Sequence, residues 1–373
     1  MWPPPPGYDE HWLGAVLPGI ARSLGVDVTG PAVDLPPARR VCLVLIDGLG
    51  LRLLRTNANA APFLADLLAQ TGGELRCGVP STTATSLGSL GTGLPPGRHG
   101  LVGYEVLDPD RDTVLNELRW DDAVDPLRWQ PFPTVFQRLT GCGRMVTSTG
   151  NPEFDGSGFN LAALRGSDFF GAKRLADRVD LAERALADPG LVYLYWGGLD
   201  AVGHTAGCTT RGWRAELREV DAELARLARI LPAGTLLVIT ADHGMVDVPH
   251  TDRVDLAQWP ALFEGVRILA GEPRFVQAHC EPGRTGEVLR RWTEEFGDRA
   301  WVRSRDEAIA AGWFGPVDDR VRPRIGEVIV AARDTFALVH SGITRKHMLA
   351  LIGQHGSLTD DEQLVPLLWT LVS

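Results

Sequence analysis

The sequence is poor in lysine and carries an excess of acidic side chains. Lys173 and Lys346 are its only lysines, so arginine supplies nearly all of the basic charge. The formal net charge is -10 at pH 7. An extended nucleic-acid interface normally requires a basic stripe, so this charge argues against a nucleic-acid partner. If such a chain handles a phosphate, the opposing positive charge must come from a local source.

The cysteines do not form a pattern typical of a disulfide framework or of a cysteine-type zinc site. They are odd in number, form no C-x-x-C pair and lie far apart, at Cys42, Cys77, Cys142, Cys208 and Cys280. Such a set is expected to consist of reduced thiols with structural roles.

Long apolar runs are also missing. No run approaches the roughly 20 apolar residues that a membrane-spanning helix needs. The N-terminal sequence MWPPPPGYDEHWLGAVL lacks the basic segment and the apolar segment of an export signal. We therefore expect a cytoplasmic protein without a membrane segment. The sequence does not indicate an oligomeric state.

Apolar runs of strand length recur along the chain, at 41–46, 143–148, 191–196 and 235–240. Helical patterns separate them, and the clearest helix spans 210–231, with apolar residues at spacings of three and four. This alternation is typical of an α/β fold with a mostly parallel central sheet and helices on both faces.

We expect one α/β domain over residues 1–373, with a small inserted α+β lobe over 252–325. The lobe sequence has the pattern strand, helix, strand and short helix, and turn-rich segments flank it. The apolar run at 326–331 is then expected to return to the central sheet as its final strand.

An aspartate ends the first apolar run, in the stretch VCLVLIDGLG at residues 41–50. The preceding apolar side chains need no polar partner in a central strand, so the charge of Asp47 must find a partner elsewhere. The carboxyl ends of strands form the ligand crevice of open α/β sheets, which makes Asp47 a candidate site residue. An aspartate that caps the following turn is the alternative interpretation.

Later strand ends and one stretch near the C-terminus carry the same kinds of side chain: Asp200, His204, Asp242, His243 and His355. A mixed set of carboxylates and imidazoles suits zinc better than calcium or magnesium. For each histidine taken singly, a structural role is the alternative. The remaining histidines have no such placement and are predicted to be structural: His11, His99, His250, His279, His340 and His347.

The segment PSTTATSLGSLGTGLPPGRHG, residues 80–100, predicts the beginning of a helix after a Ser/Thr cluster. Free backbone N–H groups at a helix N-terminus attract anions, and a hydroxyl there can meet a phosphate. An ordinary helix cap by Ser81, Thr82 or Thr83 is the alternative.

Together these motifs resemble those of the alkaline phosphatase superfamily, and their layout is most similar to its nucleotide pyrophosphatase/phosphodiesterase branch. That pattern has an Asp after the first strand, a Thr or Ser before a TGL-P---HG turn, a D-x-x-x-H, a D-H-G and a late His. The sequence presents its elements in the same order, at Asp47, Thr83, Asp200 with His204, Asp242 with His243, and His355. The resemblance covers the chain outside the predicted lobe.

The resemblance implies an alkaline phosphatase-like fold and metal-dependent hydrolysis of a small phosphate ester, with a nucleotide as one candidate. It implies two zinc ions, although other divalent metals also fit. One would be surrounded by Asp47, Asp242, His243 and the hydroxyl of Thr83, and the other held by Asp200, His204 and His355. Thr83 would be the catalytic nucleophile and would form a phosphothreonyl intermediate.

The sequence departs from the branch at Ser86, which stands where the branch usually carries an Asn that helps to hold a phosphoryl oxygen. We predict that Ser86 binds substrate. A dianionic monoester needs a further cation for its third oxygen, and no Lys or Arg lies within 80–92. A phosphodiester or nucleotide pyrophosphate is therefore the predicted substrate.

Other functions are alternatives to this prediction. A phosphomonoesterase would need a cation such as Arg98 or Arg119. The retention of every ligand argues against a catalytically silent binding protein. A dinucleotide-binding module fails because the glycine pattern after the first strand lacks its third glycine, at Leu53. Several aromatic side chains expected near the cleft could stack on a base or form its walls: Tyr104, Phe154, Phe159 and Trp196.

Overall fold

The computed structural model of the chain describes residues 6–9, 11–70 and 72–373. Residues 1–5, which contain part of the segment used to predict the absence of an export signal, lie outside the described residues. The strands, in chain order, are β1 (Arg40–Ile46), β2 (Gly73–Arg76), β3 (Glu105–Asp108), β4 (Thr113–Asn116), β5 (Met145–Gly150), β6 (Asp168–Gly171), β7 (Gly190–Trp196), β8 (Thr235–Thr240), β9 (Val246–Asp247), β10 (Arg253–Asp255), β11 (Val266–Glu272), β12 (Phe275–Cys280), β13 (Ala300–Ser304), β14 (Val328–Ala332), β15 (Ala337–Val339), β16 (Gly353–Gln354) and β17 (Leu364–Leu371).

The α-helices of the described residues, again in chain order, are α1 (Val16–Ser23), α2 (Leu51–Thr56), α3 (Pro62–Gln70), α4 (Thr83–Thr92), α5 (Pro96–His99), α6 (Pro126–Trp129), α7 (Val135–Gly141), α8 (Gly158–Ala163), α9 (Leu175–Ala185), α10 (Gly198–Ala206), α11 (Arg211–Ile230), α12 (Pro260–Phe263), α13 (Thr285–Phe296), α14 (Arg305–Ala310), α15 (Lys346–Leu349) and α16 (Asp360–Gln363). Among the described helices, none combines the length and the apolar character that crossing a membrane requires.

Seven strands form the central sheet, in the order β2-β17-β8-β1-β7-β5-β6. β1 is parallel to both of its neighbours, β7 and β8, and the parallel arrangement continues through β5 to β6. β17 is antiparallel to both β8 and β2. The predicted α/β fold with a mostly parallel central sheet is confirmed.

The central strands form where the sequence is almost continuously apolar. Six of the seven residues of β1 are buried, as expected for a strand with helices on both faces of its sheet. The strand predicted at 143–148 begins two residues later, at Met145. Gly143 ends the preceding turn with a φ of 73°, a left-handed conformation that suits glycine.

The longest predicted helix is confirmed as α11. The hydroxyl of Thr210 accepts a hydrogen bond from the backbone N–H of Trp213 at 3.2 Å and caps the helix. Its buried face carries Trp213, Leu217, Val220, Leu224 and Leu227, at the spacings of three and four seen in the sequence. This face packs the helix against α3 and α9 at the central sheet.

A second sheet has four antiparallel strands in the order β11-β12-β14-β13. Helix α13 covers it with Val288, Trp292 and Phe296, and its residues form a hydrophobic cluster separate from the main core. The lobe boundaries at 252–325 stay a prediction of domain organisation.

The prediction that the run at 326–331 closes the central sheet was wrong. This run forms β14, which pairs with β12 and β13 in the second sheet, and all five of its residues are buried. The strand that lies beside β8 in the central sheet is instead β17. An apolar strand must be covered on both faces, but its sequence does not indicate which sheet the strand joins.

Three neighbouring strands of the central sheet end at the same edge. β1 pairs in register with both β7 and β8, so the residues that follow these strands lie close together: Asp47, Asp200 and Asp242. The backbone N–H of Asp47 donates to the carbonyl of Trp196 at 2.9 Å. A Cβ atom on Gly48 would lie 3.1 Å from that of Asp200, so glycine at this turn allows the close approach.

Candidate active site

A cavity of about 560 Å³ lies at the edge of the central sheet where β1, β7 and β8 end. Its walls include Asp47, Thr83, Asp200, His204 and His355. Asp242 and His243 are fully buried, and the Nε2 atom of His243 lies 3.3 Å from Oδ1 of Asp47. The structure therefore brings together all of the predicted metal ligands, which are spread over more than 300 residues of the sequence.

Each of the three aspartates has one oxygen atom without a hydrogen-bond partner. Oδ2 of Asp47 accepts a hydrogen bond from the hydroxyl of Tyr195. Oδ1 of Asp242 accepts hydrogen bonds from the backbone N–H groups of Gly48 and His243, at 3.2 and 3.1 Å. The remaining oxygens are buried and unpartnered within the described residues: Oδ1 of Asp47, Oδ2 of Asp242 and Oδ1 of Asp200. Unpartnered buried carboxylate oxygens are costly, and a cation among them removes the cost.

The protonation equilibria of the cluster reflect the same shortage of positive charge. Burial raises the pKa of Asp47 well above its usual range, and the charges of Asp242 and Asp200 raise it further. Burial also raises the pKa of Asp242, and it lowers that of His355 well below 6.5. A divalent cation stabilises ionised carboxylates and binds neutral imidazoles, so it fits this set of donors.

The three histidines all present Nε2 to the cluster and Nδ1 to the backbone. A carbonyl only accepts hydrogen bonds, so an Nδ1 atom bonded to it carries the proton and leaves a free lone pair on Nε2. That is the tautomer needed for a metal ligand. The Nδ1 to carbonyl distances are 2.7 Å for His204 and Gly353, 2.9 Å for His355 and Ser81, and 3.0 Å for His243 and Gly244.

The ligand atoms are spaced as they would be around shared metal ions. Ligands at about 2.0 Å from a tetrahedral zinc lie about 3.3 Å apart. Nε2 of His243 lies 3.3 Å from Oδ1 of Asp47 and 3.6 Å from Oδ2 of Asp242. Oδ2 of Asp200 lies 3.3 Å from Nε2 of His204, and its Oδ1 lies 4.0 Å from Nε2 of His355.

The tightest groups of ligand atoms are Asp47, Asp242 and His243, and Asp200, His243 and His355. His243 therefore lies between the two predicted sets, with its ring stacked on that of His355 at 3.6 Å between centroids. His204 is outside the second tight group but contacts Asp200 directly.

Thr83 is the first residue of α4, and this helix begins at the cavity. Thr82 is the N-cap residue, but its side chain makes no capping hydrogen bond. The hydroxyl of Ser81 donates instead to the carbonyl of Ser357 at 2.6 Å. The first backbone N–H groups of a helix have no acceptor within it, so they are available to an anion here. Oγ1 of Thr83 lies 3.3 Å from Nε2 of His243, beside the predicted metal ligands.

Ser86 is not brought to the wall of the cavity, although we predicted that it binds substrate. Its side chain is fully buried on α4, near the thiol of Cys77, and its hydroxyl has no hydrogen-bond partner among the described residues. Ser86 lies one helical turn beyond Thr82 on α4, and its side chain points into the protein interior and not to the cavity wall. Its sequence distance from Thr83 did not indicate this orientation.

Tyr195 is a site residue that the sequence reasoning missed. It lies near the end of β7, and its hydroxyl donates a hydrogen bond to Asp47 across the β1–β7 pair. A partner that orients a metal-binding carboxylate fixes the ligand for binding. The sequence offered no signal that singles out Tyr195, because the run LVYLYW at 191–196 also carries Tyr193 and Trp196.

Tyr195→Phe is expected to weaken zinc binding by about 10- to 100-fold, because Asp47 loses the donor that orients it. Zinc titration of the metal-free protein measures this change. Tyr193→Phe is the matched control, since Tyr193 lies two residues earlier on β7 and its hydroxyl has no hydrogen-bond partner in the described part of the chain. Equal zinc affinities in the two variants would contradict the role assigned to Tyr195.

Three of the four aromatic residues predicted near the cleft do line the cavity: Tyr104, Phe154 and Phe159. Trp196 does not. Its Nε1 donates to Glu216 at 2.9 Å, and the guanidinium of Arg178 covers its ring at 4.8 Å from the centroid.

Two of the remaining predictions concerned basic or imidazole side chains. Arg119 lies on the wall of the cavity, whereas Arg98 pairs with Asp318 at 3.2 Å. His347, which we assigned a structural role, is exposed on the cavity wall. His347 does not follow the end of an apolar run, so the sequence did not indicate that it lies at the cavity.

Comparisons with known proteins identify related sequences and folds. Residues 41–358 match the model of a family described as type I phosphodiesterase/nucleotide pyrophosphatase. A search of curated protein sequences finds no match.

Solved structures with a similar fold include murine ectonucleotide pyrophosphatase/phosphodiesterase 5, with a TM-score of 0.70, 17% identity, and coverage of 88% of this chain and 87% of that chain. An inactive variant of the murine protein, in complex with AMP, has a TM-score of 0.69 at 17% identity and the same coverage, 88% and 87%. Phosphonoacetate hydrolase from Sinorhizobium meliloti, in complex with phosphonoformate, has a TM-score of 0.67, 19% identity, and coverage of 90% of both chains. At these identities the similarity establishes the fold.

Proposed function

Because the chain belongs to the type I phosphodiesterase/nucleotide pyrophosphatase family, we propose that it hydrolyses a phosphodiester or a nucleotide pyrophosphate with two zinc ions. Thr83 is the nucleophile in this proposal and forms a phosphothreonyl intermediate.

The observation that carries the proposal is the position of the Thr83 hydroxyl. It lies at an uncapped helix N-terminus and 3.3 Å from Nε2 of His243, on the wall of a cavity that also contains Asp47 and Asp200. A hydroxyl, an anion-binding helix end and a set of metal ligands are the groups that phosphoryl transfer requires.

The six Asp and His side chains and Thr83 would hold the two metal ions. Asp47, Asp242, His243 and the Thr83 hydroxyl would hold one, and Asp200, His204 and His355 the other. When bound, the metals would supply positive charge that favours ionisation of the attacking hydroxyl and stabilises the charge of the transition state. This local charge accounts for the handling of an anion by an acidic protein.

The protein groups define the course of the reaction. The free N–H groups at the beginning of α4 bind a phosphoryl oxygen and hold phosphorus in front of Oγ1 of Thr83. Oγ1 loses its proton and forms a bond to phosphorus, the bond from phosphorus to the leaving oxygen breaks, and that oxygen takes a proton. The phosphorylated Thr83 still carries the second ester substituent. Water then attacks phosphorus from the vacated side, the bond from phosphorus to Oγ1 breaks, Oγ1 takes a proton, and the monoester leaves.

Charge and shape support a diester or nucleotide pyrophosphate as substrate. The segment around Thr83 carries no Lys or Arg, and the cations nearest in the sequence are outside 80–92. A diester has one non-bridging negative charge and needs no additional cation. The cavity walls formed by Tyr104, Phe154 and Phe159 suit a nucleobase, and a structure of the murine protein holds AMP.

We expect kcat/KM for bis-(4-nitrophenyl) phosphate to exceed that for 4-nitrophenyl phosphate by about tenfold or more, since the monoester lacks a cation for its extra charge. Steady-state release of nitrophenol measures both. Arg119→Ala, which removes the arginine of the cavity wall, should leave the preference for the diester in place.

A higher kcat/KM for the monoester would make the enzyme a phosphatase. In that case Arg119→Ala should lower monoester turnover selectively. Arg98→Ala is the matched control, because Arg98 pairs with Asp318 and does not line the cavity.

A further inference from the structure

Glu272 brings a buried carboxyl group from the second sheet into the cavity. It is the last residue of β11 and lies on the cavity wall together with Thr82 and Thr83. Its side chain is 7% exposed, and its Oε1 atom has no hydrogen-bond partner among the described residues. A Cβ atom on Gly356 would lie 2.7 Å from Cγ of Glu272, so the side chain packs against the backbone next to His355. An unsatisfied buried group at this position is available to a ligand.

The turn that carries Glu272 is held firmly. Glu272 and Phe275 close the hairpin between β11 and β12, with Pro273 and Arg274 at its tip. The buried guanidinium of Arg274 binds both carboxylate oxygens of Glu362, at 2.7 and 2.8 Å. A bidentate ion pair fixes orientation as well as distance, so Glu272 stands on a rigid support.

Glu272 is a neutral acid near neutral pH. Burial raises its pKa to about 8, and the acidic side chains of Glu362, Glu105 and Glu117 add to this effect. The hydroxyl of Thr82 acts in the opposite direction and has a smaller influence. A carboxylic acid kept neutral in this way has an O–H group that can donate a hydrogen bond, which a carboxylate lacks.

We propose that Glu272 donates a hydrogen bond to a non-bridging oxygen of the substrate's phosphoryl group. This is the task that we predicted for Ser86, which does not line the cavity. The inference rests on the proposed function, because it requires a phosphoryl group in front of Thr83. Thr82, which faces Glu272, is the residue immediately before the nucleophile, so the acid lies on the side of the cavity where that group must bind.

A neutral donor also explains how the site handles the phosphoryl group although the segment 80–92 around Thr83 carries no lysine or arginine. The donor serves one oxygen without adding a positive charge, which suits the single charge of a diester. It does not compensate the second charge of a monoester. Glu272 thus contributes to the specificity for diesters as well as to binding.

The test uses a nitrophenyl nucleoside phosphodiester and its two phosphorothioate diastereomers, Rp and Sp, with zinc-loaded full-length protein. Each diastereomer replaces a different non-bridging oxygen with sulfur, which is a poor hydrogen-bond acceptor. Glu272→Leu removes the donor, Glu272→Gln keeps an N–H donor, and Glu153→Gln is the matched control, an exposed acid on the same cavity wall.

Glu272→Leu should lower kcat/KM for the oxygen diester by about 100-fold, the usual loss for one donor to a developing oxyanion. The loss in kcat/KM should be much smaller for the diastereomer whose sulfur replaces the oxygen that accepts from Glu272, because sulfur accepts that hydrogen bond poorly. In Glu272→Leu, the difference in kcat/KM between this diastereomer and the oxygen diester should therefore largely disappear. Glu272→Gln should keep the wild-type pattern, as should Glu153→Gln. Glu272→Met, of similar length, replaces Glu272→Leu if the latter does not fold.

Two results would overturn the inference while leaving the proposed function intact. One is wild-type activity of Glu272→Leu on the oxygen diester. The other is a loss by the same factor on the oxygen diester and both phosphorothioates, which indicates a purely structural role. Failure of the wild-type enzyme to hydrolyse any diester would overturn the proposed function together with the inference.

Discussion

Thr83→Ala is expected to abolish hydrolysis, with a loss in kcat of about 10⁴-fold or more, because the attacking oxygen is removed. Zinc content and folding should stay close to wild type. The Thr83 hydroxyl supplements a ligand set of six other side chains, and alanine is well tolerated at the first position of a helix such as α4. Steady-state kinetics, metal analysis and thermal unfolding measure the three properties.

Two other threonines of the same segment provide controls for this variant. Thr85 is fully buried two residues further along α4 and does not line the cavity, so Thr85→Ala should retain most of the activity. Thr82→Ala should cost far less than Thr83→Ala. If Thr82→Ala is the inactive variant, Thr82 is the nucleophile and our register is wrong by one residue.

A covalent intermediate gives an independent check. Acid quenching during turnover of a diester should leave the phosphoryl group, still esterified to one substituent, on the peptide that contains Thr83, since phosphate esters of threonine are stable in acid. The Thr83→Ala protein should carry none. Phosphate on another residue would contradict the assigned role.

The convergence of the three candidate metal-binding aspartates could be predicted from the sequence because of how parallel strands are arranged. Each aspartate follows an apolar run, and strands that lie parallel in one sheet end at a common edge. β7, β1 and β8 are neighbours in register, so Asp47, Asp200 and Asp242 converge without any long-range information beyond the sheet itself. Local sequence was sufficient for this part of the site.

The sequence could not predict side chains whose position depends on packing between distant elements. Ser86 lies three residues after Thr83 on α4, but its side chain is buried near Cys77 and does not line the cavity. Glu272 reaches the cavity because Arg274 and Glu362 fix a hairpin of the second sheet against it. Neither contact has a signature in the local pattern of apolar and polar residues.

The pairing partners of the strands could likewise not be predicted from the local sequence. The runs that form β14 and β17 are both apolar and mostly buried, yet β14 lies in the second sheet and β17 lies in the central one. Helix α13 and the β11–β12 hairpin create a second hydrophobic cluster that requires β14. Which of two cores receives a strand is decided by the whole chain.

Removal of metal ions is expected to abolish activity and to lower the melting temperature. Purified protein should contain about two zinc ions per chain, because the six Asp and His ligands with Thr83 fill two sites. In their absence, the unpartnered oxygens of Asp47, Asp200 and Asp242 remain buried at full desolvation cost. Loss of a ligand present at 100 times its dissociation constant costs about 2.7 kcal/mol of stability. For a chain of 373 residues this corresponds to a decrease in Tm of about 3 °C for each metal ion lost.

The experiment compares wild type with Asp242→Asn, before and after dialysis against a chelator, and then with zinc restored. Wild type should lose activity and Tm on chelation and regain both with about two equivalents of zinc. Asp242→Asn already lacks a carboxylate from the buried group formed with Asp47 and His243, so chelation should change its Tm less. Wild-type protein that contains no transition metal and gains neither activity nor Tm from zinc would contradict the metal assignment. An Asp242→Asn protein that binds two zinc ions as tightly as wild type would show instead that Asp242 is not a ligand, since the loss of a coordinating carboxylate from a closed site must weaken binding.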